Sequence, residues 1–299
     1  MTSAAVRTVS IASLLKLGRV SNVPTVWTNV LAGTVMAGGD WPNWRTGPVL
    51  PLVLLAMTLF YVGGMYLNDY FDRAIDARER PERPIPAREI PPRAVAAIGF
   101  GLLGGGIVLM APLGFAASAT GLVLATVIVA YDLFHKGHPW SPLVMGLCRA
   151  LVYVAAAATV GDISKILTSK TLLLAALALL AFVAGVSYAA WQERLDRPRN
   201  LWPLALLAPP LLLAWPALDH GIAGSAIYLA LVGAIASALY LLAKRPMADA
   251  VPRAVGLLIA AISLVDAAFL AAVGAVVPGL VAVAGFALTL TLQRYITGT

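Results

Sequence analysis

The chain has 299 residues, of which 60% are hydrophobic and 12% are charged, and its mean hydropathy is +0.87. A soluble domain of this length is not so apolar, so the composition indicates an all-α membrane protein whose helices cross a lipid bilayer. The net charge of +7 would suit a nucleic-acid-binding protein, but basic cytoplasmic loops explain it in a membrane protein, and we expect no nucleic-acid partner.

The first 19 residues mix apolar and polar side chains and carry Arg7, Lys16 and Arg19. Their apolar stretch, residues 11–15, is too short for the core of a secretory signal peptide. An amphipathic segment of this kind favours the membrane interface, so we expect residues 1–19 to lie at the cytoplasmic surface.

Ten apolar segments follow, and nearly all approach the roughly 20 residues that a helix needs to cross a bilayer. They cover residues 20–38, 49–70, 94–112, 114–134, 141–160, 171–192, 201–217, 222–243, 252–273 and 277–294. The last two are either two spans, or one span and a partial return. The sequence therefore predicts a single integral-membrane domain over residues 1–299, with nine or ten transmembrane helices.

The distribution of Lys and Arg predicts which ends of these segments face the cytoplasm. With the N-terminus inside, sixteen basic residues lie in cytoplasmic parts of the chain, whereas Arg45, Lys165 and Lys170 lie on the other side. Such asymmetry is typical of membrane proteins, whose cytoplasmic loops are enriched in Lys and Arg. We therefore expect the long loop after the second segment, residues 73–93, to be cytoplasmic.

A polar motif ends the second segment, where the sequence reads Asn-Asp-Tyr-Phe-Asp-Arg-Ala-Ile-Asp from Asn68 to Asp76. Asn68, Asp72 and Asp76 are four residues apart, a spacing that places them on one face of a helix. Acids this close repel one another unless a cation lies between them, and oxygen ligands suit Mg²⁺ together with substrate phosphates. The motif therefore predicts a magnesium site, with an ordinary helix end and solvated acids as the alternative.

The loop from 73 to 93 carries six arginines among several prolines, including Arg83 and Arg88. Guanidinium groups bind phosphate oxygens through paired hydrogen bonds, and prolines stiffen the loop that presents them. These arginines are thus candidates for binding an anion beside the acidic motif. For any one of them, the general enrichment of basic residues in cytoplasmic loops is an equally good explanation.

A second polar motif ends the sixth segment, four segments after the first. The side chains of Tyr188, Gln192 and Asp196 again stand four residues apart. Recurrence of such a motif suggests two related four-helix halves, at about 49–160 and 171–273.

Other polar residues lie within or beside the apolar segments. Tyr131, Asp132 and Lys136 end the fourth segment, where Lys136 either contacts an anion or serves as a topology anchor. Arg149 lies inside the fifth segment, and a charge within the membrane usually faces a cavity or a partner. Asn22 in the first segment either lines a pocket or joins helices through hydrogen bonds.

The first motif, followed by Arg83-Pro84-Ile85-Pro86, resembles the signature of the UbiA superfamily of intramembrane prenyltransferases. The likeness extends through Tyr131 and Lys136 and over most of the chain. It implies a bundle of nine helices around a central cavity open to lipid. It also implies transfer of a prenyl group from a prenyl diphosphate to a lipophilic or aromatic acceptor, with Mg²⁺ stabilising the departing diphosphate.

The residue patterns and the resemblance together predict roles for individual residues. The catalytic residues would be Asp72, Asp76, Lys136 and Asp196. The metal ligands would be Asn68, Asp72, Asp76, Gln192 and Asp196. The diphosphate would contact Arg83, Arg88, Lys136, Arg149 and Arg194. The acceptor pocket would include Asn22, Tyr131, Asp132 and Tyr188.

One departure from the family pattern concerns the second motif. Its first metal-binding aspartate is replaced by Gln192, which removes a negative charge, although Glu193 stands beside it. The first segment, around residues 23–33, looks like that of the divergent EboC-like branch. The family likeness implies an integral protein of the bacterial inner membrane, with its active-site loops in the cytoplasm.

Two other classes of protein remain as alternatives. Gln192 could mark a membrane protein that binds isoprenoids without turnover. The intramembrane charges Arg149 and Asp266 would instead suit a secondary transporter. The intact first motif, from Asn68 to Asp76, argues against both.

Overall fold

The computed structural model of the chain describes residues 9–39, 49–191, 202–243 and 249–296. These residues form helices and turns, with no strand among them. The predicted all-α class is therefore confirmed. Counting only the described part of the chain, eight helical stretches are long and apolar enough to cross a membrane, and one of them, Trp202–Asp219, is interrupted. Helices suit lipid because they satisfy their own backbone hydrogen bonds.

The bounds of the α-helices follow the predicted segments closely. In chain order they are α1 (Ile11–Leu17), α2 (Val23–Met36), α3 (Val49–Glu79), α4 (Pro92–Met110), α5 (Phe115–Phe134), α6 (Ser141–Ala157), α7 (Ile163–Thr168), α8 (Lys170–Trp191), α9 (Pro209–Leu213), α10 (Gly221–Ala243), α11 (Ala250–Ala272) and α12 (Val276–Gln293). The last two predicted segments form separate helices, α11 and α12, joined by a turn in which Gly274 has a φ of +80°.

The helix α3 extends beyond the segment predicted at 49–70 and into the predicted loop. It continues to Glu79, and the N–H of Arg80 still donates to the carbonyl of Asp76 at 2.8 Å. Pro81 has no N–H with which to continue the ladder. The loop prediction was therefore wrong for residues 73–79, and the whole acidic motif is helical.

The segment predicted at 201–217 is not one regular helix. Over the described residues it consists of a 3₁₀ turn (Trp202–Leu207), the short helix α9, and a second 3₁₀ turn (Trp215–Asp219). Four prolines fall in this stretch. Each lacks the N–H that an unbroken α-helix uses at that position, so the chain crosses this region in short pieces.

The helix α11 lies at the centre of the bundle, and 83% of its most apolar stretch is buried within the protein. One apolar core lies among α6, α8, α10 and α11, and a second lies among α2 to α6. The helix α2 contributes to both, because Gly33 lets it approach α6 closely. A Cβ at Gly33 would lie 2.6 Å from the carbonyl oxygen of Tyr153. The division into two four-helix halves stays a prediction.

A small third core holds α1 and the loop after α3 against the motif end of α3. It consists of Leu17, Tyr66, Ile85, Ile90 and Val95. A hydrogen bond of 2.5 Å from the Ser13 hydroxyl to the Glu89 carboxylate adds a polar link between α1 and that loop. The arginine-rich loop is thereby folded back over the acidic motif.

Candidate active site

A cavity of about 740 Å³ lies between α2, α3, α5, α6, α8 and α11. The part of its wall near the end of α3 is polar, with Asn68, Asp72, Asp76, Arg83 and Lys136. The remainder is largely apolar and includes Val26, Met57, Phe60, Leu124, Ile259 and Ile262. Along α3, Met57 lies eleven residues before Asn68, a distance of about 16 Å at 1.5 Å per residue. The cavity therefore suits an amphiphile with a charged head and an apolar tail.

The acidic motif is buried at the polar end of this cavity. The side chains of Asn68, Asp69, Asp72 and Asp76 lie on the inner face of α3, and these residues are between 3% and 8% exposed. The cavity is lined by Asn68, Asp72 and Asp76. Their four-residue spacing places all three on the same face of α3. Burying three carboxylates on one helix face is costly unless each has a partner of opposite charge.

Asp72 obtains its partners from the turn between α5 and α6. The Lys136 ammonium lies 3.0 Å from one carboxylate oxygen, and the His135 Nε2 lies 3.4 Å from the other. The ring of Tyr131 stacks on that of His135 with their centroids 4.8 Å apart, which fixes the imidazole beside Asp72. The end of α5 and the motif of α3 thus form one charged cluster.

Asp69 and Asp76 obtain their partners from the arginine-rich loop and from the segment before α2. The Arg83 guanidinium lies 2.8 Å from the Asp76 carboxylate and 3.4 Å from that of Asp69. Asp69 also pairs with Arg19 at 3.1 Å. Asp69 was not among the predicted site residues, although it precedes Asp72 by three positions and so shares its helix face.

Arg19 is a further residue that the sequence did not single out. Its backbone φ of +42° lies in the left-handed region, which residues other than glycine rarely adopt. Burial lowers the pKa of the Arg19 guanidinium, but the nearby Asp69 carboxylate raises that pKa, and the net result lies above the ordinary value. Arg19 therefore stays charged, and it lines the cavity beside Met65 and Asn68.

Asp132 differs from the other acids of the cavity. One of its carboxylate oxygens accepts a hydrogen bond of 3.3 Å from the Asn68 amide. Its other oxygen, Oδ2, is buried and has no hydrogen-bond partner within the described residues. Asp132 is 4% exposed and lines the cavity. An unpartnered carboxylate oxygen at such a position is unusual in a folded protein.

Arg149 lies deeper in the cavity than the acidic motif. Its guanidinium lies 5.3 Å from the centre of the Tyr61 ring, and Tyr61 stands seven residues before Asn68 on α3. It donates a 3.0 Å hydrogen bond to the Asn29 side chain. The Asn29 amide in turn donates to Asp266. The structure thus places Arg149 about two helical turns from the diphosphate site expected at the motif.

The remaining predicted residues are distributed in three ways. Asn22 and Tyr188 line the cavity, and the side-chain oxygen Oδ1 of Asn22 accepts a 3.0 Å hydrogen bond from the Gln293 side chain. Arg88 is exposed and does not line the cavity. The predicted residues Gln192, Arg194 and Asp196 lie outside the described residues.

A magnesium ion is the metal that the motif implies. Within the described ranges, no three His, Cys, Asp or Glu side chains form a ready metal cluster. The oxygen donors of Asn68, Asp72 and Asp132 nevertheless fit the preference of Mg²⁺ for carboxylate and amide oxygens. The unpartnered Oδ2 of Asp132 leaves a ligand position that a cation could occupy.

Comparison with known families decides what kind of chain this is. The family model described as the UbiA prenyltransferase family matches residues 26–200, which is more than half of the chain. The chain belongs to the UbiA prenyltransferase family. The match includes α3, the charged turn after α5 and the cavity walls contributed by α6 and α8.

Solved structures support the UbiA fold. The apo structure of a UbiA homologue from Aeropyrum pernix K1 has a TM-score of 0.65, with 16% identity over 82% of this chain and 96% of that one. A structure described as digeranylgeranylglyceryl phosphate synthase in membranes has a TM-score of 0.59 and 19% identity. That likeness covers 88% of this chain and 98% of the other. At such low identities the likeness concerns the fold alone.

Curated relatives share a shorter region. The digeranylgeranylglyceryl phosphate synthase of Sulfolobus acidocaldarius is 30% identical over 41% of this chain and 42% of that protein. The enzyme of the same name from Natronomonas pharaonis is 30% identical over 52% of this chain and 56% of that protein. The chain thus spans about half the length of the curated relatives it matches.

Proposed function

We propose that this UbiA family member transfers a prenyl group from a prenyl diphosphate to a lipophilic acceptor within the membrane. The main observation in support of this proposal is that one cavity combines an apolar surface with a charged one. A largely apolar wall reaches a buried cluster in which Asp72 and Asp76 face Lys136 and Arg83 at 3.0 and 2.8 Å. An allylic diphosphate is an amphiphile of matching form, with an apolar chain and a multiply charged head.

The ion pairs of the cavity suggest how the charged head would be accommodated. Lys136 and Arg83 can turn from the carboxylates to the phosphate oxygens, for which both side chains are good partners. Asp72 and Asp76, with Asn68, would then hold Mg²⁺. Because each released group meets an opposite charge, the exchange leaves neither Asp72 nor Asp76 unpaired. Bound Mg²⁺ would neutralise the negative charge that develops on the leaving diphosphate.

The reaction breaks the bond between C1 of the prenyl chain and the diphosphate oxygen, and the diphosphate leaves with the bonding electrons. Lys136 and Arg83, once turned from Asp72 and Asp76 to the phosphate oxygens, stabilise the departing charge. The side chains of Tyr61 and Tyr131 line the cavity, where aromatic rings would stabilise an allylic cation. A nucleophilic atom of the acceptor then forms the bond to C1 and gives up its proton to the diphosphate or to water.

Two chemical classes of molecule are candidates for the acceptor of the prenyl group. The likeness of the motifs to UbiA prenyltransferases favours an aromatic ring. The curated relatives are named for a glyceryl phosphate that carries two geranylgeranyl groups, which favours a geranylgeranyl donor and a glycerol-phosphate lipid as acceptor. We propose that the reaction takes place in a bacterial inner membrane, as the family likeness implies, and the distribution of Lys and Arg predicts that the motif end of the bundle faces the cytoplasm.

The test uses purified protein in detergent, supplied with prenyl diphosphates of increasing length, with and without Mg²⁺. Aromatic acceptors, geranylgeranylglyceryl phosphate and a membrane lipid extract are compared as acceptors. We expect Mg²⁺-dependent pyrophosphate release that Asp72→Asn abolishes, because the variant removes a charge at nearly constant shape. Asp162→Asn makes the same change at an exposed carboxylate of the described chain and should leave the rate unchanged.

Two other outcomes would select the alternatives. Donor binding without release from any donor would favour an isoprenoid-binding protein. Flux of a prenyl diphosphate into liposomes that survives Asp72→Asn would favour a transporter that uses Arg149 and Asp266. Either result would contradict the proposed transferase.

A further inference from the structure

Asp132 stands apart from the other acids around the cavity because no described residue gives it a cationic partner. Asp69, Asp72 and Asp76 each lie within 3.4 Å of an Arg, Lys or His nitrogen. None of the ion pairs within the described residues includes Asp132, and its Oδ2 has no hydrogen-bond partner there. A carboxylate that is 4% exposed and half unsatisfied is costly. A group that the described residues do not supply is expected to face Oδ2.

The position of Asp132 points to a cation. Its satisfied oxygen accepts from the amide of Asn68, the first residue of the acidic motif, at 3.3 Å. Asn68, Asp72 and Asp132 all line the same cavity, two of them from α3 and one from α5. An incoming hard cation would find the free oxygen of Asp132 beside the oxygens of the motif. Water, by contrast, could satisfy Oδ2 but would leave the negative charge unpaired.

We propose that Asp132 Oδ2 is a direct ligand of the metal that Asn68 and Asp72 would hold, so that the cation site joins α3 to α5. This inference rests on the proposed function and adds a ligand from outside both acidic motifs. Gln192 removes one negative charge from the second motif. Asp132 on α5 would add one negative charge to the metal site at the cavity wall.

Asp132→Asn distinguishes this role from a purely supporting one. An asparagine at 132 can still accept a hydrogen bond from Asn68, so the orientation of Asn68 would be preserved. It cannot offer two carboxylate oxygens or a negative charge to a metal. Asp132→Ser also removes the charge and keeps an acceptor oxygen, so it serves as a second variant if the first does not fold. Asp162→Asn is the matched control at an exposed site.

The measurement is Mn²⁺ binding by the full chain in detergent, followed through the electron paramagnetic resonance signal of free Mn²⁺, with and without inorganic pyrophosphate. We expect Mn²⁺ affinity to fall at least about tenfold in Asp132→Asn and Asp132→Ser, since losing a group that only supports a ligand already costs 10- to 100-fold. Monodispersity and melting temperature establish that each variant is folded.

Two results would overturn the inference. Equal Mn²⁺ affinity in wild type and Asp132→Asn would leave Asp132 as a hydrogen-bond partner of Asn68, while the proposed function would stand on the Asp72→Asn assay. Absence of Mn²⁺ binding in the wild-type protein, even with pyrophosphate, would remove the metal site altogether. That second outcome would contradict the magnesium requirement as well, so the two failures are distinguishable.

Discussion

Removing the carboxylate of Asp266 should destabilise the bundle more than any change to an exposed acid. Asp266 lies on α11 and is 0% exposed. The Asn29 amide donates to both of its oxygens, at 3.0 and 2.9 Å, and the Tyr153 hydroxyl donates to one of them. The Arg149 guanidinium donates a hydrogen bond of 3.0 Å to the side-chain oxygen Oδ1 of Asn29. Asn29 thus bridges a buried carboxylate and a buried guanidinium on two different helices.

The size of the effect follows from the groups left without partners. Asp266→Ala strands the Asn29 amide and the Tyr153 hydroxyl, and a buried donor without an acceptor costs about 1–3 kcal/mol. It also leaves Arg149 without the negative charge that offsets its burial, and breaking a buried pair costs about 3–5 kcal/mol. Because these effects overlap, we expect a total of about 3–5 kcal/mol. Asp266→Asn keeps the shape and should cost less, since one oxygen remains to accept.

The assay is thermal unfolding in detergent, with Asp219→Ala as a control at an exposed carboxylate. The expected order of melting temperatures is wild type and Asp219→Ala highest, then Asp266→Asn, then Asp266→Ala. A melting temperature for Asp266→Ala equal to that of the control would refute the reasoning. It would mean that water enters the site and satisfies Asn29, Tyr153 and Arg149 at little cost.

Two further predictions concern the substrate. Lys136→Gln should raise the KM for the prenyl diphosphate up to about tenfold, which is the effect of losing one charge-assisted hydrogen bond from a side chain that is 34% exposed. The control Lys170→Gln changes an exposed lysine and should leave the KM unchanged. Equal KM values in the two variants would show that Lys136 does not bind the diphosphate. Phe60→Ala should shift the preferred donor towards a longer prenyl chain, because the Phe60 ring lines the apolar wall and packs over Gly106. Leu55→Ala, which truncates an exposed side chain on the same helix, should leave the donor-length profile unchanged, and an unchanged profile in Phe60→Ala as well would contradict this role.

Local features of the site were predictable from the sequence because they depend on helical periodicity alone. Asn68, Asp72 and Asp76 share one helix face at any tertiary arrangement, so their common exposure to the cavity followed from their spacing. The apolar segments likewise became helices, since lipid leaves the backbone no other partner. Where prolines break the pattern, between 202 and 219, periodicity did not predict the short helical pieces.

Most partners of the acidic motif could not be predicted in the same way, because they come from distant parts of the chain. Asp69 pairs with Arg19, fifty residues earlier, and the Asn68 amide meets Asp132, sixty-four residues later. No local pattern encodes which of the many basic residues reaches the motif. Arg83 contacts it while Arg88, in the same loop, is exposed.

The sequence by itself determined the class of the protein, the helices and the placement of three oxygen donors on one face, because composition and periodicity act within single segments. The tertiary structure decided which charges are neutralised and that Arg149 lies deeper in the cavity than the motif, where it binds Asn29. It also decided that Asp132 brings to the cavity an oxygen without a partner among the described residues. These features depend on how closely the helices approach one another. Tight contacts, such as that between Gly33 and Tyr153, set that distance. Charge pairing is a property of the assembled bundle, since each buried ion needs a partner from another helix.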